Sequence, residues 1–378
     1  MSGQREIPWV IEEHTKVKHQ ILEGYVTIWM AIMFSQQARL SYNKRLIYVD
    51  GFAGPGVYWA DETKASSVPG SPVIIAQKAN EFIDKDKTRE VKILGIDNDP
   101  KCISSLKKLL EEVNKHKQSW DAVEGTFEET VNKIFDYLND VSQRIAPAFF
   151  FIDPFGYAGF CMNTLKRIME HPRTELFINL DVYDINRFIE AQHSTNCLHQ
   201  LFGTDAYQQA AQYAGDKKIS FLMELYCKQL KDLGNEIFVQ PFRVNAAGQG
   251  TRPRYFLIHV SQNIKALKEM KNAMSKSSTQ PFRFEAIGID PCRQLDLFEP
   301  AGEDVVRNKI LEFIKHKSSD KILYEGLECW AYQATSGIAR EIKQTLVSLE
   351  NEGKIVVERK PRQRTNTVND GAFVQYKK

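Results

Sequence analysis

The chain of 378 residues lacks several features that would place it in a narrow class. Its six cysteines, at 102, 161, 197, 227, 292 and 329, include no CxxC pair. Their spacing indicates neither a disulfide framework nor a thiolate zinc site. The best apolar run, Val26 to Phe34, is half the ~18 residues that a spanning helix needs. The opening residues MSGQREIPWVIEEH lack the basic-then-apolar order of a signal peptide. No internal repeat or low-complexity tract is present. The net charge is only +2, so charge balance alone says nothing about nucleic acid, and any such argument must come from local clusters. These absences predict a soluble, reduced, cytoplasmic protein with no membrane partner. What the chain does have is apolar material, 43% hydrophobic and 11% aromatic. At roughly 100–200 residues per domain, the length predicts two or three domains with ordinary cores.

The patterning alternates between strand and helix. Residues 14–38 read as a long helix with Thr15 as cap and Val17, Ile21, Ile28 and Ile32 among its buried face. Short apolar runs at 46–49, 91–96, 148–152 and 176–180 each end at an acid: Asp50, Asp97, Asp153 and Asp181. A further strand is expected to end near Val123. Between these runs, 71–83, 100–116 and 127–138 have helical spacing, with Ser71 as a candidate N-cap and Pro72 at the first helical position. Continuous apolar strands separated by helices predict an α/β fold with a parallel sheet buried on both faces. Two closing strands, 237–239 and 255–260, bring the expectation to about seven. The predicted organisation is a helical segment over 1–40, a Rossmann-like domain over 41–274, a linker over 275–303 and a second domain over 304–378.

The motif with the most chemical content is Tyr48-Val49-Asp50-Gly51-Phe52-Ala53-Gly54-Pro55-Gly56, an acid-ended strand running into a glycine-rich turn. Gly54 and Gly56 allow a sharp turn and a close ligand approach. The pattern is not G-x-G-x-x-G, because Phe52 stands at the first glycine position, and a loop of about fifteen residues precedes the next helix. An acid at this strand end suits a cationic ligand better than a pyrophosphate. S-adenosylmethionine (SAM), with its sulfonium and ammonium, matches. Asp97, beside Asn98, stands where a doubly wound fold offers a carboxylate to ribose hydroxyls, although it could also cap the helix before Pro100. Thr126 and Phe127 stand where adenine would lie, or simply begin a helix with Glu129 completing a capping box. Asp153-Pro154-Phe155-Gly156-Tyr157 ends the fourth strand. A carboxylate, a Pro carbonyl and an aromatic there could hold an exocyclic amine and stack on its base, or Asp153 could cap a helix near Asn163. His14, Lys18 and His19 either contact ligand from a helix folded over the crevice or form a solvated face. His193, Cys197 and His199 lack a fourth ligand at sensible spacing, so no metal is expected.

On these residues the sequence resembles the three-Cys-motif partner (TcmP) proteins, predicted SAM-dependent methyltransferases. The resemblance spans roughly residues 10–260. It rests on His14-Thr-Lys-Val-Lys18-His19-Gln-Ile, on Asp50-Gly-Phe-Ala-Gly-Pro-Gly56, on Gly70-Ser-Pro72 and on Asp153-Pro-Phe-Gly156. It implies a class I methyltransferase sheet, SAM as cofactor and a companion protein carrying three cysteines. Asp153-Pro-Phe-Gly156 is also similar to the Asp-Pro-Pro-Tyr element of nucleic-acid adenine-N6 methyltransferases. It departs from that element by Phe155 for the second Pro, Gly156 at the aromatic position and an aromatic, Tyr157, one residue late.

The last segment reads as three helices and a basic hairpin, the pattern of a winged helix-turn-helix. From Lys354 to Lys378 there are seven Lys or Arg against Glu358 and Asp370. Arg340 and Lys343 on the last helix, with Lys360, Arg362 and Arg364 on the hairpin loop, are the candidate nucleic-acid contacts. A winged helix used for partner docking is the other possibility. The combined expectation is a SAM-dependent methyltransferase of an exocyclic base amine in DNA or RNA. Its alternatives are a non-catalytic binding module on the same fold and a methyltransferase of protein or small molecules.

Overall fold

The computed structural model describes residues 7–40, 42–116, 119–189, 195–246, 255–277, 282–287, 302–317 and 320–377. In chain order the elements begin with α1 (Glu13–Arg39), β1 (Arg45–Asp50), β2 (Val57–Trp59), β3 (Ser67–Pro69), α2 (Ser71–Lys85), β4 (Glu90–Asp97) and α3 (Pro100–Val113). There follow β5 (Trp120–Glu124), α4 (Phe127–Asp140), β6 (Ala148–Ile152), α5 (Met162–Met169), β7 (Thr174–Leu180), α6 (Val182–Phe188) and α7 (Thr195–Phe202). A 3-10 helix (Asp205–Gln212) and α8 (Gly215–Lys231) lead to β8 (Phe238–Ala246), β9 (Tyr255–Ser261), α9 (Ile264–Ser277) and β10 (Phe282–Ala286). The chain closes with α10 (Glu303–His316), β11 (Ile322–Leu323), α11 (Tyr324–Ala334), α12 (Ala339–Asn351), β12 (Ile355–Glu358) and β13 (Phe373–Tyr376).

Eight strands form one sheet in the order β10-β8-β9-β7-β6-β1-β4-β5. β5, β4, β1, β6 and β7 are mutually parallel, and β9 runs antiparallel between β7 and β8. The run Ala148 to Ile152 is buried throughout, as expected for the sheet centre. One face packs Trp29, Tyr25 and Met30 of α1 with Ile75 of α2, Leu106 of α3 and Met270 of α9. The other packs Val131 of α4, Leu165 of α5, Leu201 of α7 and Leu222 of α8. From β1 the chain moves outward through β4 to β5, then crosses back to β6 on the other side. The order therefore reverses between β1 and β6, and in a doubly wound sheet ligands bind at that switch point.

Several expectations are corrected. α1 starts at Glu13 without a side-chain cap, so Thr15 is not its cap, and Ile28 and Ile32 are only half-buried. α2 is preceded by Gly70, which places Ser71 rather than Pro72 first in the helix. The fifteen-residue loop after the glycine turn holds the β2–β3 hairpin, and Val10 bridges to Trp59 beside it. The stretch expected as a linker contains β10, which pairs antiparallel with β8. Thr126 caps α4 as expected, accepting from the Glu129 amide, and α3 is capped by Asp99 rather than Asp97, accepting from the Lys101 amide.

Residues 302–377 have their own core of Val306, Ile310, Leu327, Ile342, Leu346, Leu349, Ile355 and Val374, which Leu267 of α9 joins. β11, β13 and β12 form a separate antiparallel sheet. Buried Lys271 of α9 donates to the carbonyls of Tyr332 and Thr335, each at 2.6 Å, and fastens this unit to the α/β body. Among the described residues no helix is long and apolar enough to cross a membrane.

Candidate active site

At the switch point lies a cavity of about 580 Å³. Its walls include Trp9, His14 and Lys18 from the N-terminal strap and α1, and Phe52, Gly54, Tyr58 and Ser71 from the β1–α2 connection. Asp153, Pro154, Phe155 and Gly156 follow β6, while Asn179 and Asp181 end β7. The volume falls in the range of small-molecule sites, roughly 300–1,000 Å³.

Lys18 organises this cavity. Its Nζ donates to both oxygens of Asp153, at 2.7 and 2.6 Å, and its side chain is 6% exposed. The Asn179 amide donates to the same carboxylate at 2.7 Å. Asp153 therefore caps no helix. It is also not the free amine acceptor expected from sequence, since one of its oxygens is committed twice and the other once. α1 folds over the crevice, and Lys18 and His19 are buried rather than solvated. Burial, with the neighbouring Lys18 charge, pushes His19 down to about 4. A histidine with a depressed pKa contributes stability that is present above its ordinary value of 6.5 and lost as pH falls toward 4. His19→Gln should therefore flatten the stability loss between about pH 6.5 and 4 by up to roughly 3 kcal/mol. Denaturant unfolding of both proteins across that window would show it; parallel curves would contradict it.

The turn after β1 is braced from below. Asp50 has no exposed surface. Tyr48 donates to it at 3.0 Å, the Phe52 amide at 3.4 Å, and the Ser71 side chain also bonds it. Burial raises Asp50 to about 7, the like charge of Asp153 adding to the effect and the donors opposing it. Asp50 thus holds the turn and α2 together and does not line the cavity, a correction to its expected direct contact. Asp97 is half-buried; its Oδ2 accepts from the Gly54 amide at 2.9 Å and its Oδ1 from Asp99 at 2.8 Å. Burial is the main influence on Asp97 and raises its pKa. Asn98 stands exposed beside it. Gly54 and Gly56 have φ of +59° and +75°, which favours glycine, and Gly54 faces the ring of Trp9.

The adenine expectation is corrected in part. Thr126 spends its hydroxyl on the α4 cap at 3.2 Å. Phe127 is 2% exposed, stacks on Phe52 at 6.0 Å and fills the space beneath Gly51. Neither lines the cavity. Phe155 does line it, 76% exposed, with its ring edge-on to Trp9 at 5.4 Å. Tyr157 instead packs on Phe188.

Of the histidines weighed for a metal, His193 lies outside the described residues, and His199 bonds Asp205 at 2.8 Å. Among the described residues no cluster of His, Cys, Asp and Glu is arranged to hold a metal ion.

On α12, exposed Arg340 and half-buried Lys343 line a groove of about 780 Å³ closed by Asn366 and Thr367. Lys343 also donates to Asn369 at 2.9 Å. Lys360, Arg362 and Arg364 are exposed on the β12–β13 loop.

The sheet order, the antiparallel β9 and the reversal between β1 and β6 define a Rossmann-like, mostly parallel α/β sheet. No protein-family model and no curated protein matches the chain. Solved structures do. An O-methyltransferase from Bacillus cereus in complex with SAH is 11% identical, with a TM-score of 0.33 over 67% of this chain and 83% of its own. A Legionella pneumophila protein is 11% identical, with a TM-score of 0.39 over 71% and 96%. The SAH-bound methyltransferase of Podospora anserina is 12% identical, with a TM-score of 0.26 over 66% and 88%. At such identities and TM-scores the fold class stands on the sheet order itself.

Proposed function

We propose that the protein is a SAM-dependent methyltransferase whose acceptor is an exocyclic amine of a nucleic-acid base. The observation that carries this is the single cavity wall shared by Gly54 and Ser71 with Asp153-Pro154-Phe155, at the point where the strand order reverses. Gly54 leaves room for the methionine end, and the Glu12, Glu62 and Asp181 carboxylates in the cavity walls suit a cationic ligand. Asp97, half-buried at the end of β4 and behind the Gly54 amide rather than in the cavity lining, keeps the ribose role expected of it. Bound SAM supplies an electrophilic methyl carbon on its sulfonium. Phe155 is the exposed ring for the acceptor base to stack on, and the Pro154 carbonyl accepts from its amine. Catalysis is mainly positioning of the nitrogen against the methyl carbon.

The C-terminal unit supports a polymeric substrate. Its order of helix, strand, two helices, strand, loop and strand fits the winged helix expected from the sequence. In this reading α12 enters a groove of the nucleic acid through Arg340 and Lys343, while Lys360, Arg362 and Arg364 lie along phosphates. Such a module raises the substrate's effective concentration at the cavity. The residues that carry the resemblance, within 10–260, suit a member of the three-Cys-motif partner family working with a three-cysteine companion.

Incubation with tritiated SAM and mixed DNA and RNA is expected to label the nucleic acid. Asp153→Ala should abolish labelling while retaining most SAM affinity. Labelling of protein or small molecules alone would overturn the substrate class, and SAM binding with no transfer to any acceptor would favour a non-catalytic module.

A further inference from the structure

Two buried polar atoms in the cavity walls have no hydrogen-bond partner: Oδ1 of Asn179 and the indole Nε1 of Trp9. The amide of Asn179 cannot be turned over. Asp153 is held by the Lys18 ammonium and only accepts, so the Asn179 atom facing it must be the NH₂ group. Its oxygen is thereby left as a bare acceptor on a cavity-lining residue. Trp9 is fixed as well. Its carbonyl accepts from the Trp59 amide at 2.7 Å, and the Ile11 amide donates to the Trp59 carbonyl at 2.9 Å. This ties the N-terminal strap to β2, and the Trp9 ring meets Phe155 edge-on. A buried acceptor or donor left unpaired costs roughly 1–3 kcal/mol, and a ligand that pairs it recovers that cost.

We infer that Asn179 and Trp9 read the acceptor base: Asn179 Oδ1 accepts from its exocyclic amine, Trp9 Nε1 donates to a ring acceptor, and Phe155 stacks on its face. Lys18 and Asp153 are then positioning residues that hold the Asn179 amide in the orientation that selects an amine. This rests on the nucleic-acid reading above and narrows it to amine-bearing bases. A carbonyl in place of the amine would set two lone pairs against each other and leave Asn179 unpaired, so the deaminated base is rejected.

The test uses the full chain saturated with S-adenosylhomocysteine (SAH). Fluorescence anisotropy measures its affinity for short single-stranded oligodeoxynucleotides of adenine, hypoxanthine, cytosine or uracil. Wild type is expected to bind adenine over hypoxanthine, or cytosine over uracil, by about tenfold or more. Asn179→Ala should reduce that preference to within about twofold, with a cooperative thermal melt as the check on folding. Trp9→Phe keeps a ring against Phe155 and loses only the N–H. It should weaken all four oligonucleotides by about threefold, because every one of these bases carries a ring or carbonyl acceptor. A preference that survives Asn179→Ala, or wild-type binding without any preference, overturns the inference and leaves the nucleic-acid reading standing. No change in Trp9→Phe removes Trp9 from the site. Wild type that binds none of the four overturns the nucleic-acid reading and this inference with it.

Discussion

Lys18→Met is expected to lower stability by roughly 3 kcal/mol, the low end of what breaking a buried ion pair costs. The reason is the state of its partner. Asp153 would keep the Asn179 amide but lose the ammonium bonded to it, and its side chain is just 17% exposed. Some rehydration of that carboxylate places the expectation at the low end. The double variant Lys18→Met/Asp153→Asn should regain most of the loss, because a neutral amide at position 153 needs no counter-charge. Urea unfolding of the two single variants and the double variant measures the coupling directly. Additive losses would mean that the pair is not the unit described here.

The second large effect separates two glycines of the β1–α2 connection, Gly54 and Gly70. A Cβ on Gly70 would sit 2.9 Å from the carbonyl carbon of Gly56, backbone against backbone, where no side chain can swing away. The Gly70 amide also donates to the Gly56 carbonyl at 2.8 Å, so the β1 turn and the start of α2 are packed as one piece. Gly70→Ala should cost roughly 1–3 kcal/mol by overpacking and displace the turn. A Cβ on Gly54 meets only the Trp9 ring, at 3.4 Å, but enters the cavity wall at a φ of +59°. Gly54→Ala should cost roughly 1–2 kcal/mol of stability for the left-handed backbone, yet weaken SAM binding more than Gly70→Ala does in the fraction that stays folded. Thermal melts paired with SAM titrations check this. Equal loss of affinity in both variants would mean that Gly54 does not line the cofactor site.

The α/β body was legible because its strands are uninterrupted apolar runs ended by acids, and their parallel pairing follows from that pattern. The ends of β1, β4 and β6 were located for the same reason. What escaped were interactions with no local signature. β10 belongs to the sheet only through its pairing with β8, and the β2–β3 hairpin is three residues on three. Asp50 looked like a ligand contact because strand-end acids often are. Its burial depends on Tyr48 beside it and Ser71 across the turn, which only the fold brings together. Thr126 and Phe127 show the same limit, since helix capping and adenine contact require the same residue types at that position.

The pairing of Lys18 with Asp153 is the instructive omission. The carboxylate lies 135 positions away, which no spacing rule reaches. One signal was nevertheless present. Lys18, Leu22, Tyr25, Val26 and Trp29 fall on one stripe of α1 and are all buried. A lysine in register with such a stripe must find buried acceptors, a carboxylate or backbone carbonyls. The unpartnered Asn179 and Trp9 atoms had no comparable signal, because their isolation is a property of the assembled cavity.

Isothermal titration of the full-length wild-type protein with SAH is the most direct check on whether the crevice between β1 and β6 is built for a sulfonium nucleoside. The account predicts saturable heat at one site per chain, lost in Gly54→Ala. Absence of heat with both SAH and SAM, from protein that melts cooperatively, would contradict it.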